Sequence, residues 1–410
     1  MIGRRCKTVF EKRKAMKILY LDYPAIGGEI IKKTFKKLGH EVICFDFPHD
    51  SAEVRNGEEL GVGIAEALLK ADADLVFSFN FYPVAATAVH ACRRKYVSWV
   101  YDCPTSLLYS MAVFFPENYI FHFDSHEVEK LRREGVEHAW YLSLASNADE
   151  YDSMVPDEPA RTKYGADIAM IGSLYRDKYH MFKKYEDSFD AYLKGYLDGV
   201  ITSQEELYGV DILEPALSDD IMSRILKAVP LPLERGDGFD TPRWIFANYY
   251  MGMRVTANER VKYLSALSEH YDTALYTPQP VPELKKVRNM GAVEYYKEAP
   301  YAIKCAKINL NITLHCIQRG IPLRVMDILG CGGFLMTNYQ ADLCEEFVPG
   351  EDFVMFDSVA DAVEKAGYYL EHEDEREQIA KNGHAKVKEL HGFETKVSAM
   401  LDEVDSSWKD

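Results

Sequence analysis

No stretch of this chain is apolar for long enough to cross a bilayer, and no secretory leader is visible at its start. Nor is there a Cys-x-x-Cys pair. The eight cysteines stand apart at 6, 44, 92, 103, 305, 316, 331 and 344, several inside apolar segments. That pattern excludes a disulfide framework and reads as small buried hydrophobes in a reducing compartment. Basic charge is in short supply: 48 Lys and Arg face 65 Asp and Glu, a net of −17. Nucleic acid is thereby excluded as the main partner, because a phosphate backbone demands a basic face. A single nucleotide is not, since it needs only a few local cations. The Gly-x-Gly-x-x-Gly fingerprint is also missing, with Gly27 and Gly28 too short to replace it, so NAD binding is disfavoured. The expectation is a cytoplasmic protein with no transmembrane segment and no bound cofactor.

What is present fits a large α/β protein. A chain of 410 residues exceeds one ordinary core and suits two domains; 47% hydrophobic and 28% charged residues are normal for a globular fold. Residues 1–15 carry Arg4, Arg5, Lys7, Lys12, Arg13 and Lys14 against Glu11. They read as a disordered basic leader, with an arm touching a membrane or anionic partner as the alternative. From residue 17 apolar strands alternate with helices. Strands are expected at 18–21, 41–47, 74–79, 96–101, 119–123 and 139–144, a parallel sheet covered on both faces. That makes 16–150 a Rossmann-like domain. Residues 151–165, polar and holding Pro156 and Pro159, read as a linker. A second Rossmann-like domain over 166–393 has expected strands at 167–171, 273–276, 293–296, 308–312, 334–337 and 353–356, with a helical insert at 176–262. In the insert Tyr179, Phe182, Tyr185, Phe189, Tyr192, Leu193 and Tyr196 recur at helical spacing. Such a stripe packs against a domain more often than it lines a groove. Residues 229–241, rich in Pro and Gly, read as a loop, and 394–410 as a terminal helix.

The most informative segment is 320–338. Pro322 suits the first position of a short helix, where its missing N–H costs nothing. Arg324 and Asp327 lie three apart and share a face near the helix start. Gly330, Gly332 and Gly333 end the helix, and 334–336 start an apolar strand. An arginine at a helix N-terminus attracts phosphate, and a carboxylate one turn on can accept hydrogen bonds from ribose hydroxyls. The bland alternative for the same pair is a surface salt bridge.

These residues carry a resemblance. Arg324, Asp327, the Cys331-Gly332-Gly333 turn and the strand from Phe334 to Met336 resemble the C-terminal domain of CgeB-type (spore-maturation-protein-like) glycosyltransferases. The likeness continues through Pro349, Gly350 and Glu351, the helix after Ser358, and the stretch from His391 to Lys396. Residues 308–313 and 168–174 also fit, and weaker similarity runs through 17–150. The resemblance implies a GT-B fold, two Rossmann-like domains facing a central cleft, with the terminal helix crossing back onto the N-terminal domain. It implies transfer of a sugar from a nucleotide-diphosphate donor, UDP-, GDP- or TDP-linked, to an unknown glycan, protein or small-molecule acceptor. Metal is generally not needed for catalysis in that fold. Two alternatives stay open: a nucleotide-sugar epimerase on the same fold, and a degenerate transferase acting as a binding or assembly protein of a spore or cell surface.

In that frame Arg324 neutralises the leaving diphosphate, and Gly172 with Ser173, in the loop after a strand, offers a second phosphate contact. Asp327 would hold the ribose, although the family usually has Glu there. Many retaining GT-B enzymes carry two Glu separated by seven residues; the first position here is Arg319. A retaining mechanism is therefore not carried over. The donor sugar would be read by backbone near Gly332 and Gly333, or by His315. If transfer inverts, a base must come from the N-terminal domain, and Asp102 and Asp124 are the candidates, with His122 third. Both Asp also suit ordinary turns. His122, Asp124 and His126 alternate as strand-borne metal ligands would, but the strand is expected to end near 123, so no metal site is expected.

Overall fold

The computed structural model describes residues 14–176, 180–229 and 236–407. Most of the basic leader, Tyr179 and residues 230–235 of the Pro/Gly-rich loop lie outside the described residues.

Two six-stranded sheets form the frame. The first contains β1 (Lys17–Asp22), β2 (Glu41–Asp46), β3 (Leu75–Phe79), β4 (Lys95–Val100), β5 (Asn118–His122) and β6 (Ala139–Tyr141) in the order 2-1-3-4-5-6. The second contains β7 (Ala166–Ile171), β8 (Thr273–Tyr276), β9 (Arg288–Asn289), β10 (Ala306–Asn311), β11 (Leu335–Asn338) and β12 (Val354–Phe356) in the order 12-11-10-7-8-9. Every pairing is parallel. The strands are apolar because helices cover both faces: β3 and β5 are buried at every residue. Strand order reverses between β1 and β3 in one sheet and between β7 and β10 in the other, and the crevice at such a reversal is where open α/β sheets bind ligands. This is the GT-B architecture.

Local chemistry explains the elements beside the cleft. Helix Gly28–Lys37 turns Ile31 and Phe35 into the core and starts after Gly27, whose φ of 85° favours glycine. Terminal helix Phe393–Ser407 packs on it, as the resemblance implies. Phe393 meets Trp99 edge-on at 6.2 Å, and Lys37 pairs with Glu394.

Some expectations need correcting. Residues 293–296 are not a strand: the edge of the second sheet is β9, and Tyr295 and Tyr296 sit in the turn before helix Ala299–Cys305. Their rings are committed elsewhere, with the Tyr296 hydroxyl accepting the Gly27 N–H at 2.7 Å across the domains. Pro322 is the cap rather than the first helical residue, with ψ of 152°, and the helix runs Leu323–Gly330. The linker stretch is mostly helical, as Ala148–Ser153 and Glu158–Tyr164. The stripe in the insert packs: Phe182, Phe189 and Leu193 are buried, while Tyr192 is exposed. The insert also docks on the N-terminal domain through Arg55 and Asp237 at 2.7 Å and through the Tyr109 and Trp244 rings at 4.4 Å.

Candidate active site

The carboxyl ends of the two sheets enclose a cleft of about 240 Å³. Tyr101, Asp102, Cys103 and Phe123 line it from the first domain; Gly172, Ser173, Tyr175, Arg260, Thr313 and Arg324 are among the residues facing them.

Arg324 enters the cleft from the first turn of helix Leu323–Gly330, where the backbone dipole adds to its charge. Its Nη1 donates to Asp327 Oδ2 at 3.0 Å, and its Nε is buried with no partner among the described residues. The guanidinium also lies 5.9 Å from the centre of the Tyr295 ring. Asp327 is buried and does not line the cleft. Its Oδ1 accepts from the Tyr295 hydroxyl at 2.5 Å and from the Tyr151 hydroxyl at 3.5 Å. Burial pushes its carboxyl up, and the arginine pulls it back. The carboxylate that a ribose would need is thus spent on holding Arg324 and two tyrosines.

Gly172 and Ser173 follow β7, as the sequence implies, but their partner is a residue that sequence reasoning missed. Arg260, buried on helix Met253–Ser268, donates from Nε and Nη2 to the Ile312 carbonyl at 3.2 and 2.5 Å and from Nη1 to the Ser173 carbonyl. Its guanidinium covers the Tyr175 ring at 4.7 Å. A Cβ on Gly172 would come within 3.1 Å of Nη1, so glycine gives the arginine its room. Burial lowers the Arg260 pKa, and the charge of Arg324 adds to that. The available signal was a charged residue on the same helix face as the apolar Ala257 and Leu264. The Ser173 hydroxyl accepts the Tyr175 N–H at 2.9 Å, a local turn bond.

The other candidates separate by position. Gly332, at φ 72°, and Gly333 close the far end of the helix, where a Cβ on Gly333 would strike Asn309 and Ile303; neither lines the cleft. His315 lies beside the cleft residues Thr313 and Leu314, donating its backbone N–H to Thr256 at 2.8 Å, with Nε2 3.5 Å from Asp211 Oδ1. Asp102 is exposed in the cleft wall after β4. Asn80 donates to its Oδ2 at 2.8 Å. Asp124 is fully buried and caps helix Ser125–Arg133. It accepts backbone N–H bonds from His126 at 2.9 Å and, across the domains, from Gln318 at 2.7 Å and Arg319 at 3.3 Å. Burial pushes its carboxyl up to about 7. His122 is buried too, accepts the Asp124 N–H at 3.0 Å, and is pushed down to about 4 by desolvation. Among the described residues no group of three His, Cys, Asp or Glu is placed to hold a metal ion, so His122, Asp124 and His126 do not converge as ligands. No described helix is long and apolar enough to cross a membrane.

Comparison with known proteins agrees with the fold. Residues 258–402, which include Arg260, Arg324 and Asp327, match the glycosyltransferase family described as glycosyl transferase-like. Among solved structures, Anabaena HepE in complex with UDP and glucose is similar over 95% of this chain and 100% of its own, at 12% identity and a TM-score of 0.56. A sucrose-phosphate synthase from Thermosynechococcus elongatus is similar over 96% and 99%, at 10% identity and 0.55. A glycosyltransferase from Rickettsia africae is similar over 96% and 100%, at 11% and 0.53. A search of curated proteins found no significant sequence match.

Proposed function

We propose that this chain is a glycosyltransferase that moves a sugar from a nucleotide-diphosphate donor to an acceptor held by the N-terminal domain. One observation carries the reading: Arg324 and Arg260, from two different elements, line one wall of the cleft, and the carboxylate of Asp102 lines the other. Two fixed cations on one wall of a crevice stabilise the charge that builds on a departing diphosphate, and they need no metal to do so. The loops of Gly172 and Ser173 bring backbone to the same place. HepE, crystallised with UDP and UDP-glucose, makes a UDP-linked donor the first to test. Within the glycosyltransferases the CgeB-type group is the subfamily proposed, on the segment from Arg324 to Met336. Action in the cytoplasm belongs to the same proposal, on the scattered cysteines, seven of which are free among the described residues.

Asp102 is the proposed general base in an inverting transfer. It is exposed to the cleft, whereas Asp124 and His122 are buried and already bonded. Those two are better read as parts of an interdomain joint.

The test is thermal stability of the full chain with saturating UDP, GDP and TDP and their sugar conjugates, followed by release of nucleotide diphosphate with EDTA present. A bound ligand at about 100 times its Kd stabilises by about 2.7 kcal/mol. No stabilisation by any of them would remove the donor site. Release abolished by EDTA and restored by manganese would remove metal independence.

A further inference from the structure

The carboxyl edge of the first sheet has a charge pattern of its own. Its strand-end loops, residues 23–27, 47–52, 80–82, 101–105, 123–124 and 142–147, contain no lysine or arginine. Their charged residues are Asp50, Asp102 and Asp124. The opposite wall supplies Arg260 and Arg324. Phosphate can therefore be matched on one side of the cleft only.

The same edge is aromatic. Tyr23 and His49 stack with ring centres 4.4 Å apart and planes 14° apart, and His49 is exposed. Phe47 and Tyr82 pack behind them at 4.6 Å. Tyr23 and Asn80 follow β1 and β3, the strands between which the order reverses. Asn80 takes a left-handed φ of 56°, which asparagine tolerates better than most residues. In that conformation its Oδ1 accepts the N–H groups of Tyr101 at 2.9 Å and Asp102 at 3.0 Å, while its Nδ2 donates to Asp102 Oδ2. One side chain thus fixes both the backbone and the carboxylate of Asp102. The second oxygen, Oδ1, takes no hydrogen bond from a described residue.

We propose that this edge is the acceptor subsite and takes an uncharged, hydroxyl-bearing ring, with Asn80 aiming Asp102 at the hydroxyl that reacts. The inference rests on the glycosyl-transfer reading and names the acceptor class. A sugar ring has apolar C–H faces and a rim of hydroxyls; aromatic rings cover the faces, and a carboxylate and amide take the rim. A phosphate or carboxylate on the acceptor would meet Asp50 and Asp102, and the loops of that edge carry no lysine or arginine to offset it. In the transfer, Asp102 Oδ1 takes the hydroxyl proton as the oxygen forms its bond to the anomeric carbon. The old anomeric C–O bond breaks, and its electron pair leaves with the nucleotide diphosphate between Arg260 and Arg324. Asn80 is a positioning residue.

The test uses the full chain, UDP-glucose or another nucleotide sugar that it hydrolyses, and a pool of neutral hexoses and methyl glycosides mixed with hexuronic acids and hexose 6-phosphates. Mass spectrometry reads the products. Neutral acceptors alone should gain sugar. A phosphorylated or acidic product overturns the acceptor class, and so does donor hydrolysis with no sugar product at all. The second arm is Asn80→Asp, which keeps the oxygen that accepts the two amides but sets a carboxylate beside Asp102. Like charge raises a carboxyl pKa, so the acid limb of kcat should move up by about one pH unit or more, with donor KM within about twofold. A lower melting temperature with an unmoved limb overturns the positioning role. Failure of the wild type to release nucleotide diphosphate from any donor is a different result, and it overturns glycosyl transfer itself.

Discussion

An Arg260→Met substitution keeps a long, apolar side chain and removes a buried guanidinium, so it separates bracing from ligand binding. In the structure this guanidinium holds the Ile312 carbonyl, after β10, and the Ser173 carbonyl, after β7. Methionine leaves both without that donor. A buried group stripped of its partner costs about 1–3 kcal/mol, so the two carbonyls together give roughly 2–6 kcal/mol of lost stability. Removing a desolvated charge offsets part of that. The effect on ligand is independent: a charge-assisted hydrogen bond to phosphate contributes about 1.5–3 kcal/mol, a 10- to 150-fold rise in Kd for nucleotide diphosphate. Arg260→Lys discriminates further, because an ammonium restores the charge without a fork that spans two carbonyls. The lysine variant should recover part of the affinity and little of the stability. Calorimetry with UDP at a temperature where each variant is folded, alongside denaturant unfolding, measures both. Wild-type UDP affinity in a folded methionine variant would refute the binding role and leave Arg260 as a brace between two loops.

Two further outcomes follow from neighbouring residues. Arg324→Ala should weaken nucleotide-diphosphate binding by roughly 1.5–3 kcal/mol while lowering the melting temperature less than Arg260→Met, since Asp327 keeps the Tyr295 and Tyr151 hydroxyls; calorimetry and melting on one sample check both. Asp124→Asn should lower the melting temperature but leave turnover per folded molecule intact, and a loss of turnover beyond about 100-fold would restore Asp124 as the base. Its pH dependence has a definite sign. The folded carboxyl titrates near 7, above its ordinary 3.8, so the folded state holds the extra proton and this contribution to stability falls as pH rises between those values. His122, pushed down to about 4, acts the opposite way in wild type and variant alike. The melting gap between wild type and Asp124→Asn should therefore narrow from pH 4 to pH 7.

The frame was legible because parallel strands buried on both faces write themselves as short apolar runs between helices. Eleven of the expected strands coincide with β1 to β8 and β10 to β12, since β9 is only two residues of exposed edge with no apolar pattern to read. Tyr295 and Tyr296 imitated a strand because bulky rings suit one; their hydroxyls instead reach Asp327 and Gly27. At the site, Arg324 was visible from its place at a helix start. Arg260 was not, because its one local signal, a shared helix face with Ala257 and Leu264, does not separate an arginine that turns inward from one that reaches solvent along an apolar face. Its role depends on Ser173 and Ile312, which are 87 and 52 residues away in the chain. Asn80 was hidden for the same reason, its partner Asp102 lying on the next strand end.

The commitment of Asp327 changes how the segment from 320 to 338 acts. An acid one turn past an arginine can serve a ribose only if it faces the cleft, and here it is buried beneath that arginine. Its negative charge offsets the desolvation of the guanidinium and holds Nη1, leaving Nε without a partner among the described residues. Tyr151 comes from the linker and Tyr295 from the turn before helix Ala299–Cys305, so the carboxylate gathers three separate parts of the chain, and the neighbouring Tyr296 reaches Gly27 of the N-terminal domain. In the proposed transfer Asp327 would act on a nucleotide through Arg324, by fixing where that cation points, rather than by touching the sugar. A ribose contact must then come from elsewhere on the second wall, where the cleft offers backbone and hydroxyls at Gly172, Ser173 and Thr313.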